Sequence, residues 1–144
     1  MPEQNYSNHR RTVPAFHFVL LPILPLTLIG SAVNLYKSWG DHERFYSAAL
    51  IVVLVITSIL TALFGRMFAL KAQDRSIRAE ENLRHFVLTG KLLDPRLTIP
   101  QIVALRFASD GEFAALAEQA AEHSLPADTI KQAVKRWRPD TYRV

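Results

Sequence analysis

Two apolar stretches constrain the fold of this chain more than any other feature. The first covers residues 16–36 and the second covers residues 45–70, with no charge between Arg44 and Arg66. Each holds about 20 apolar-dominated residues, enough for a helix to cross the ~30 Å hydrocarbon core of a bilayer. The remaining chain is too short to bury two such helices in a soluble core. We therefore predict an all-α membrane protein with a transmembrane helical hairpin.

The segment between the spans, residues 37–44, is short, so the spans are expected to be antiparallel neighbours. Positive charge is concentrated on the other side of the hairpin. Arg10 and Arg11 precede the first span, and four cations follow the second: Lys71, Arg75, Arg78 and Arg84. The positive-inside rule then predicts a cytoplasmic N-terminal tail (residues 1–15), both termini in the cytoplasm and the loop outside.

The first span contains two prolines, Pro22 and Pro25, each of which removes a backbone donor. We expect a kink or a locally unwound turn there. Small and polar side chains follow in both spans and are candidates for intramembrane packing: Thr27, Ser31 and Asn34 in the first, Ser58 and Ala62 in the second. Packing within the hairpin is the first expectation for them. Contact with a second copy or a partner, and a substrate path beside the prolines, remain alternatives.

Residues 71–90 favour a cytoplasmic stalk helix that continues the second span. They contain no proline and are rich in good helix formers, until Gly90 supplies a stop signal. A solvated stalk is the plain interpretation. The alternative is that its polar side chains bind another protein or a second copy, and we select five of them as candidates: Gln73, Asp74, Arg78, Glu81 and His85.

Residues 91–144 predict a small three-helix module. Thr98 with Gln101, and Ser109 with Glu112, have the spacing of capping boxes, so they open helices expected to end near Phe107 and His123. A third helix is expected from residues 124–126 to about Trp137. A module of this size has a small core and is expected to depend on its neighbours for stability.

The sequence lacks the usual signatures of catalysis. It has no cysteine, which excludes disulfides and thiolate metal sites, and no phosphate-binding loop, metalloprotease motif or nucleophile elbow. Its histidines do not pair at matched depth as haem ligands. The net charge of +4 lies beside the spans, where anionic headgroups favour it, and forms no long stripe for nucleic acid. We expect no catalytic, cofactor-binding or metal-ligating residue, and no small-molecule substrate is identifiable.

Two runs of the sequence carry a family resemblance. Residues 44–94 and 102–122, and above all the motif Ala-Gln-Asp-Arg-x-Ile-Arg-x-Glu-Glu-x-x-Arg-His over residues 72–85, resemble a family of small two-span bacterial inner-membrane proteins known only as a domain of unknown function. The likeness extends over residues 16–137. It implies a multi-pass location in the bacterial cytoplasmic membrane. It implies no activity and no functional residues.

These observations favour a non-enzymatic membrane protein, an accessory or scaffold subunit. Its hairpin would anchor a cytoplasmic helical interaction module that binds a protein partner or assembles as a homo-oligomer in the lipid bilayer. The alternative is an oligomeric small transport or channel component, because two helices alone cannot enclose a pore. An enzyme is the third possibility, and nothing in the sequence names a reaction.

Overall fold

The computed structural model describes residues 4–9 and 12–140, and every regular element among them is helical. A π-helical segment, Ala15–Leu20, leads directly into α1. The α-helices are α1 (Leu21–Lys37), α2 (His42–Thr89), α3 (Ile99–Leu105), α4 (Asp110–Glu122) and α5 (Ala127–Ala133). The predicted all-α fold, with two helices long and apolar enough to cross a membrane and three short helices after them, is confirmed.

The chain divides into two compact units, and α2 contributes to both. The hairpin unit consists of residues 12–69. The module unit contains, among the described residues, 4–9 and 70–140. The stalk predicted for residues 71–90 therefore belongs to the same unit as the C-terminal helices, and the predicted N-terminal tail contributes a segment to it as well.

The turn between α1 and α2 is tighter than the sequence suggested. Residue Gly40 has φ +95°, a conformation that glycine adopts without a Cβ penalty. The Asp41 carboxylate then accepts the Arg44 backbone N–H at 3.2 Å, which caps the start of α2. Because of this cap, α2 begins at His42, ahead of the predicted start at Phe45.

A regular seam of half-buried and buried side chains runs down the inner side of α2 in the hairpin unit. Its members follow one another at steps of three and four residues: Phe45, Ala48, Val52, Val55, Ile59, Ala62, Arg66 and Ala69. The less exposed positions of α1 also share one side: Leu24, Leu28, Ser31 and Leu35. Such spacing places one stripe of each helix toward its neighbour. At the open end of the hairpin the Arg66 guanidinium lies 5.6 Å from the Phe16 ring centroid.

The irregularity expected at the prolines takes the form of a widened turn. The Leu21 N–H donates to the Phe16 carbonyl, five residues back, instead of the usual four. Pro22 follows at once and Pro25 lies inside α1, where neither can donate a backbone hydrogen bond. The chain thus remains helical through both prolines, and the π-helical segment before them absorbs the change in pattern.

The core of the module unit comes from one face of each short helix and from the turn before them. Both predicted capping boxes form, at Thr98 with Gln101 and at Ser109 with Glu112. Fully buried members include Leu105, Phe113 and Ile130. The Gln101 amide also donates to the Leu125 carbonyl at 2.9 Å. The residue that closes the capping box of α3 thus also pairs with a backbone carbonyl that follows α4.

The predicted end of the third module helix, at Trp137, is wrong. Helix α5 stops at Ala133, and residues 136–138 run antiparallel to residues 107–109. There the Arg138 N–H donates to the Phe107 carbonyl at 2.7 Å, and the Ser109 N–H donates to the Arg136 carbonyl at 3.1 Å. The same pairing ends the first module helix at Leu105, two residues before the predicted Phe107.

Candidate functional site

A charge cluster with one buried member, Glu81, and one nearly buried member, Arg84, joins α2 to the C-terminal helices of the module unit. We call Glu81, Arg84, Asp110 and Arg138 the Arg84 cluster. Arg84 Nη1 donates to Glu81 Oε2 at 2.9 Å, and Arg84 Nη2 lies 2.6 Å from Asp110 Oδ1. Arg138 Nη1 approaches the other Glu81 oxygen at 3.4 Å. The Glu81 side chain is 5% exposed, so its carboxylate depends on these cations for the solvation that it has lost.

Arg84 occupies the centre of this cluster because helix α2 and the start of α4 present complementary groups to it. Its Nη2 also donates to the Ala108 carbonyl at 2.7 Å, and its guanidinium carbon lies 4.3 Å from the Phe113 ring centroid. The planar fork therefore binds two carboxylates and one carbonyl while it stacks on an aromatic face. Lysine could not reproduce that arrangement.

The last turn of α2 is fixed by a second set of contacts. His85 Nδ1 lies 2.7 Å from the Lys91 carbonyl, and the Asn82 side-chain oxygen accepts the Leu93 N–H at 2.9 Å. Gly90, with φ +74°, ends the helix and returns the chain along it. The polar residues at this end of α2 thus hold the connection to α3.

The Arg84 cluster borders an open cleft of about 480 Å³ whose charged lining is Glu80, Glu81, Arg84, Asp110 and Arg138. Both cations of the cleft already contact carboxylates, and no histidine or hydroxyl is found in its lining within the described part of the chain. Across residues 4–9 and 12–140 no group of three or more acidic or histidine side chains could hold a metal ion. The arrangement is suited to fixing α2 against α4.

The Glu112 carboxylate holds the C-terminal segment. Besides closing the capping box at Ser109, it accepts the Arg136 N–H at 3.0 Å and the Lys135 N–H at 3.1 Å. Burial raises the pKa of Glu112, but the N–H groups of Arg136, Lys135 and Ser109 favour its charged form and bring the pKa below its ordinary value. Those backbone donors would otherwise continue α5, which explains why that helix ends early.

Residues 4–9 pack on the far end of the same unit. The His9 ring lies 5.7 Å from both the Phe107 and Trp137 rings, centroid to centroid. The Gln4 side-chain oxygen accepts the Asp140 N–H at 2.7 Å. No local pattern predicts this contact, because it joins segments that lie about a hundred residues or more apart in the chain.

The five interaction candidates of the stalk do not share one exposed surface. Glu81 belongs to the Arg84 cluster, and His85 holds the end of α2. Gln73 and Asp74 are half-buried, whereas Arg78 is exposed. Arg84, which the sequence analysis treated only as a charge, is the central residue. One sequence signal for this position was available: Arg84 lies seven residues, or about two helical turns, after Ile77, which is buried.

The intramembrane candidates also divide. Ser31 is buried, and Ala62 lies in the seam of α2. The others are exposed in the single chain: Pro22, Pro25, Thr27, Asn34 and Ser58. The Thr27 hydroxyl donates to the Ile23 carbonyl and the Ser58 hydroxyl to the Leu54 carbonyl, each at 2.8 Å, so both are satisfied within their own helices. Their contact with a second chain stays a prediction.

Apolar side chains are exposed on the side of α2 opposite the Arg84 cluster. We call this the outer face of α2, and its large apolar residues in the module unit are Leu83, Phe86 and Val87. Ile77 and Glu81, on the other side of the helix, are buried. Exposed apolar groups gathered on one helix face are a common sign of an interaction surface.

Comparison with known proteins gives a family and nothing further. No curated protein and no solved structure matches the chain. One family model covers it from end to end, in agreement with the resemblance carried by the motif over residues 72–85. The chain belongs to the family of unknown function DUF6526, whose model matches residues 1–144.

Proposed function

We propose that this chain is a non-enzymatic protein of the bacterial cytoplasmic membrane. Its hairpin unit would anchor the module unit at the cytoplasmic surface, where the module acts as an accessory or scaffold subunit. The observation that supports this most is the exposure of the apolar helices. In the apolar windows of the two candidate spans, only 6% and 11% of the residues are buried by protein. A core helix of a soluble protein would be mostly buried, so exposure of this extent supports a lipid environment.

The packing of the chain ends supports the orientation. Residues 4–9 precede α1 and pack in the same unit as residues 70–140, which follow the hairpin. A hairpin whose two ends both enter one folded unit must have both ends on one side of the bilayer. The cations near those ends, Lys71 and Arg75 among them, favour the cytoplasmic side.

A topology experiment tests the anchor directly. The chain has no cysteine, so the single variants Asp41→Cys and Glu118→Cys can be labelled without background. In intact cells a membrane-impermeant maleimide should label the variant at position 41, and it should label that at position 118 only after permeabilisation. The protein should also resist extraction by alkaline carbonate. Extraction into the soluble fraction, or labelling of both positions from one side, would contradict the anchor.

The scaffold role requires a second measurement. Purification from native membranes in mild detergent should give an assembly, either with a stoichiometric protein partner or with further copies of this chain. Intact-complex mass spectrometry distinguishes the two. A monomer with no partner, in both detergent and nanodiscs, would refute the scaffold role while leaving the membrane anchor in place.

An oligomeric transport component remains the second candidate, and one observation favours it. Asn34 is exposed on α1 in the apolar region, where an amide side chain is costly unless it meets a partner or water. Several copies could place such groups around a path. Flux of small ions into vesicles that contain the purified protein would support this role, and an Asn34→Leu variant should then reduce the flux.

A further inference from the structure

The outer face of α2 has an ordered pattern in the module unit. Leu83, Phe86 and Val87 are 63%, 51% and 74% exposed. The buried side of the same turns is occupied by Ile77 and Glu81. One side of α2 therefore packs against the rest of the module unit, and the described residues leave the other side exposed.

The exposed positions follow the spacing of a two-stranded helix pair. Ala72, Ser76, Ala79, Leu83 and Phe86 are separated by steps of four, three, four and three residues, and all five are exposed. This is the seam spacing of a coiled coil, in which each seam residue meets its counterpart on the second helix. The three small residues allow close approach of the helices, and the two large ones that follow supply apolar area.

Charges beside this seam complement a second copy. Arg75 lies on one flank and Glu80 on the other, five residues apart. In a parallel pair, a flanking residue faces the residue five positions further along the opposite helix, so Arg75 of each copy would meet Glu80 of the other. Within residues 4–9 and 12–140 neither forms an ion pair. Glu80 only accepts a hydrogen bond from the Ser76 hydroxyl, at 3.1 Å.

We propose that the outer face of α2 binds the same face of a second copy of this chain, in a parallel and symmetric dimer. The proposal rests on the proposed membrane anchor, since two copies inserted with one topology have parallel α2 helices at equal depth. Anchoring also raises their effective concentration, so a short interface can suffice. A lipid surface is a poorer occupant, because Glu80 on the flank would be repelled by anionic headgroups.

Cysteine crosslinking in the membrane tests the seam. In a symmetric dimer Ala79 faces Ala79 of the second copy, whereas Arg78 points about 100° away around the helix. Both positions are exposed in the single chain, so Arg78→Cys is a matched control for Ala79→Cys. The full-length variants, in native membranes and in vesicles at high lipid-to-protein ratio, are oxidised and separated without reductant. We expect a disulfide-linked dimer for Ala79→Cys and at most a trace for Arg78→Cys.

Charge reversal tests the register. In the Ala79→Cys chain, Arg75→Glu places like charges opposite each other at both flanks and should weaken the dimer, roughly two- to thirtyfold for two exposed pairs. Glu80→Arg should do the same. The double variant restores opposite charges and should recover most of the crosslinking. Recovery would not be expected if either single variant acted by unfolding the module.

Three results would overturn the dimer. One is equal crosslinking of the variants at positions 78 and 79, as random collision requires. The second is a charge swap that does not restore crosslinking. The third is a crosslinked product whose mass is that of another protein. Carbonate extraction of the same samples separates this failure from failure of the anchor, because a protein that resists extraction yet does not crosslink is anchored without this dimer.

Discussion

Replacement of Arg84 by methionine tests how the module unit is held together. The variant keeps the length and apolar stem of the side chain but removes the fork that binds Glu81, Asp110 and the Ala108 carbonyl. Asp110 is 70% exposed, so water replaces its partner at little cost. Glu81 is 5% exposed and keeps only the 3.4 Å contact with Arg138.

Most of the unfolding free energy lost in Arg84→Met therefore comes from the Glu81 carboxylate, which stays buried without its main partner. Removing one partner of a buried ion pair costs about 3–5 kcal/mol. At an m-value of about 1–2 kcal/mol per M of urea, the unfolding midpoint should fall by roughly 1.5–5 M. In the double variant Glu81→Leu with Arg84→Met no charge is stranded, so most of this loss should be recovered.

The assay can use tryptophan fluorescence of the full-length protein in detergent micelles. The chain has two tryptophans, so a Trp39→Phe background leaves Trp137 as the reporter of the module unit. Trp137 packs 4.9 Å from the Phe107 ring, and its emission should change when the module unfolds. A loss of unfolding free energy below about 1 kcal/mol, well under the cost of breaking a buried pair, would contradict the assignment of this cost to Glu81. A double variant as unstable as the single one would also refute it.

Two further predictions use the same reporter. The pKa of Glu112 is lowered in the folded state, so its bonds to Lys135 and Arg136 stabilise the module fully above the ordinary pKa of 4.5 and progressively less below it. Glu112→Gln should therefore lower the urea midpoint at pH 7. If the difference in midpoint between this variant and the native chain does not narrow by pH 3, the prediction is contradicted. Gly90→Ala, at φ +74°, should cost about 1 kcal/mol, whereas Gly111→Ala in the first turn of α4 should be neutral or slightly stabilising; equal effects would show that the turn after α2 tolerates a side chain.

Features with local causes were the ones that the sequence could predict. The two long apolar helices follow from runs of apolar residues, and the starts of α3 and α4 follow from Thr98 and Ser109 with their partners three residues later. Each of these signals acts within one or two helical turns. Nothing distant in the chain can easily override it.

Features with distant causes were missed or misplaced. The end of α5 depends on the Glu112 carboxylate, which binds backbone N–H groups 23 and 24 residues away. Glu81 was selected as an interaction candidate on the polar face of the stalk, and that interaction stays a prediction. Its burial was not predicted, because it depends on Arg138 of the C-terminal segment as well as on Arg84, one turn along α2. Periodicity shows which residues share a side of α2, but it does not show which side the module covers.

The contact between residues 4–9 and the end of the module has a consequence for biosynthesis. His9 emerges early from the ribosome, whereas Phe107 and Trp137, the rings that it meets, are made after both spans. The module unit therefore cannot be completed while the chain is still being translated through the hairpin. In the proposed membrane anchor, the N-terminal segment would have to stay on the ribosome side of the membrane during that interval, because a segment that had crossed could not return to meet its partners. Correct insertion of the first apolar helix would in this way be a precondition for folding of the last third of the chain.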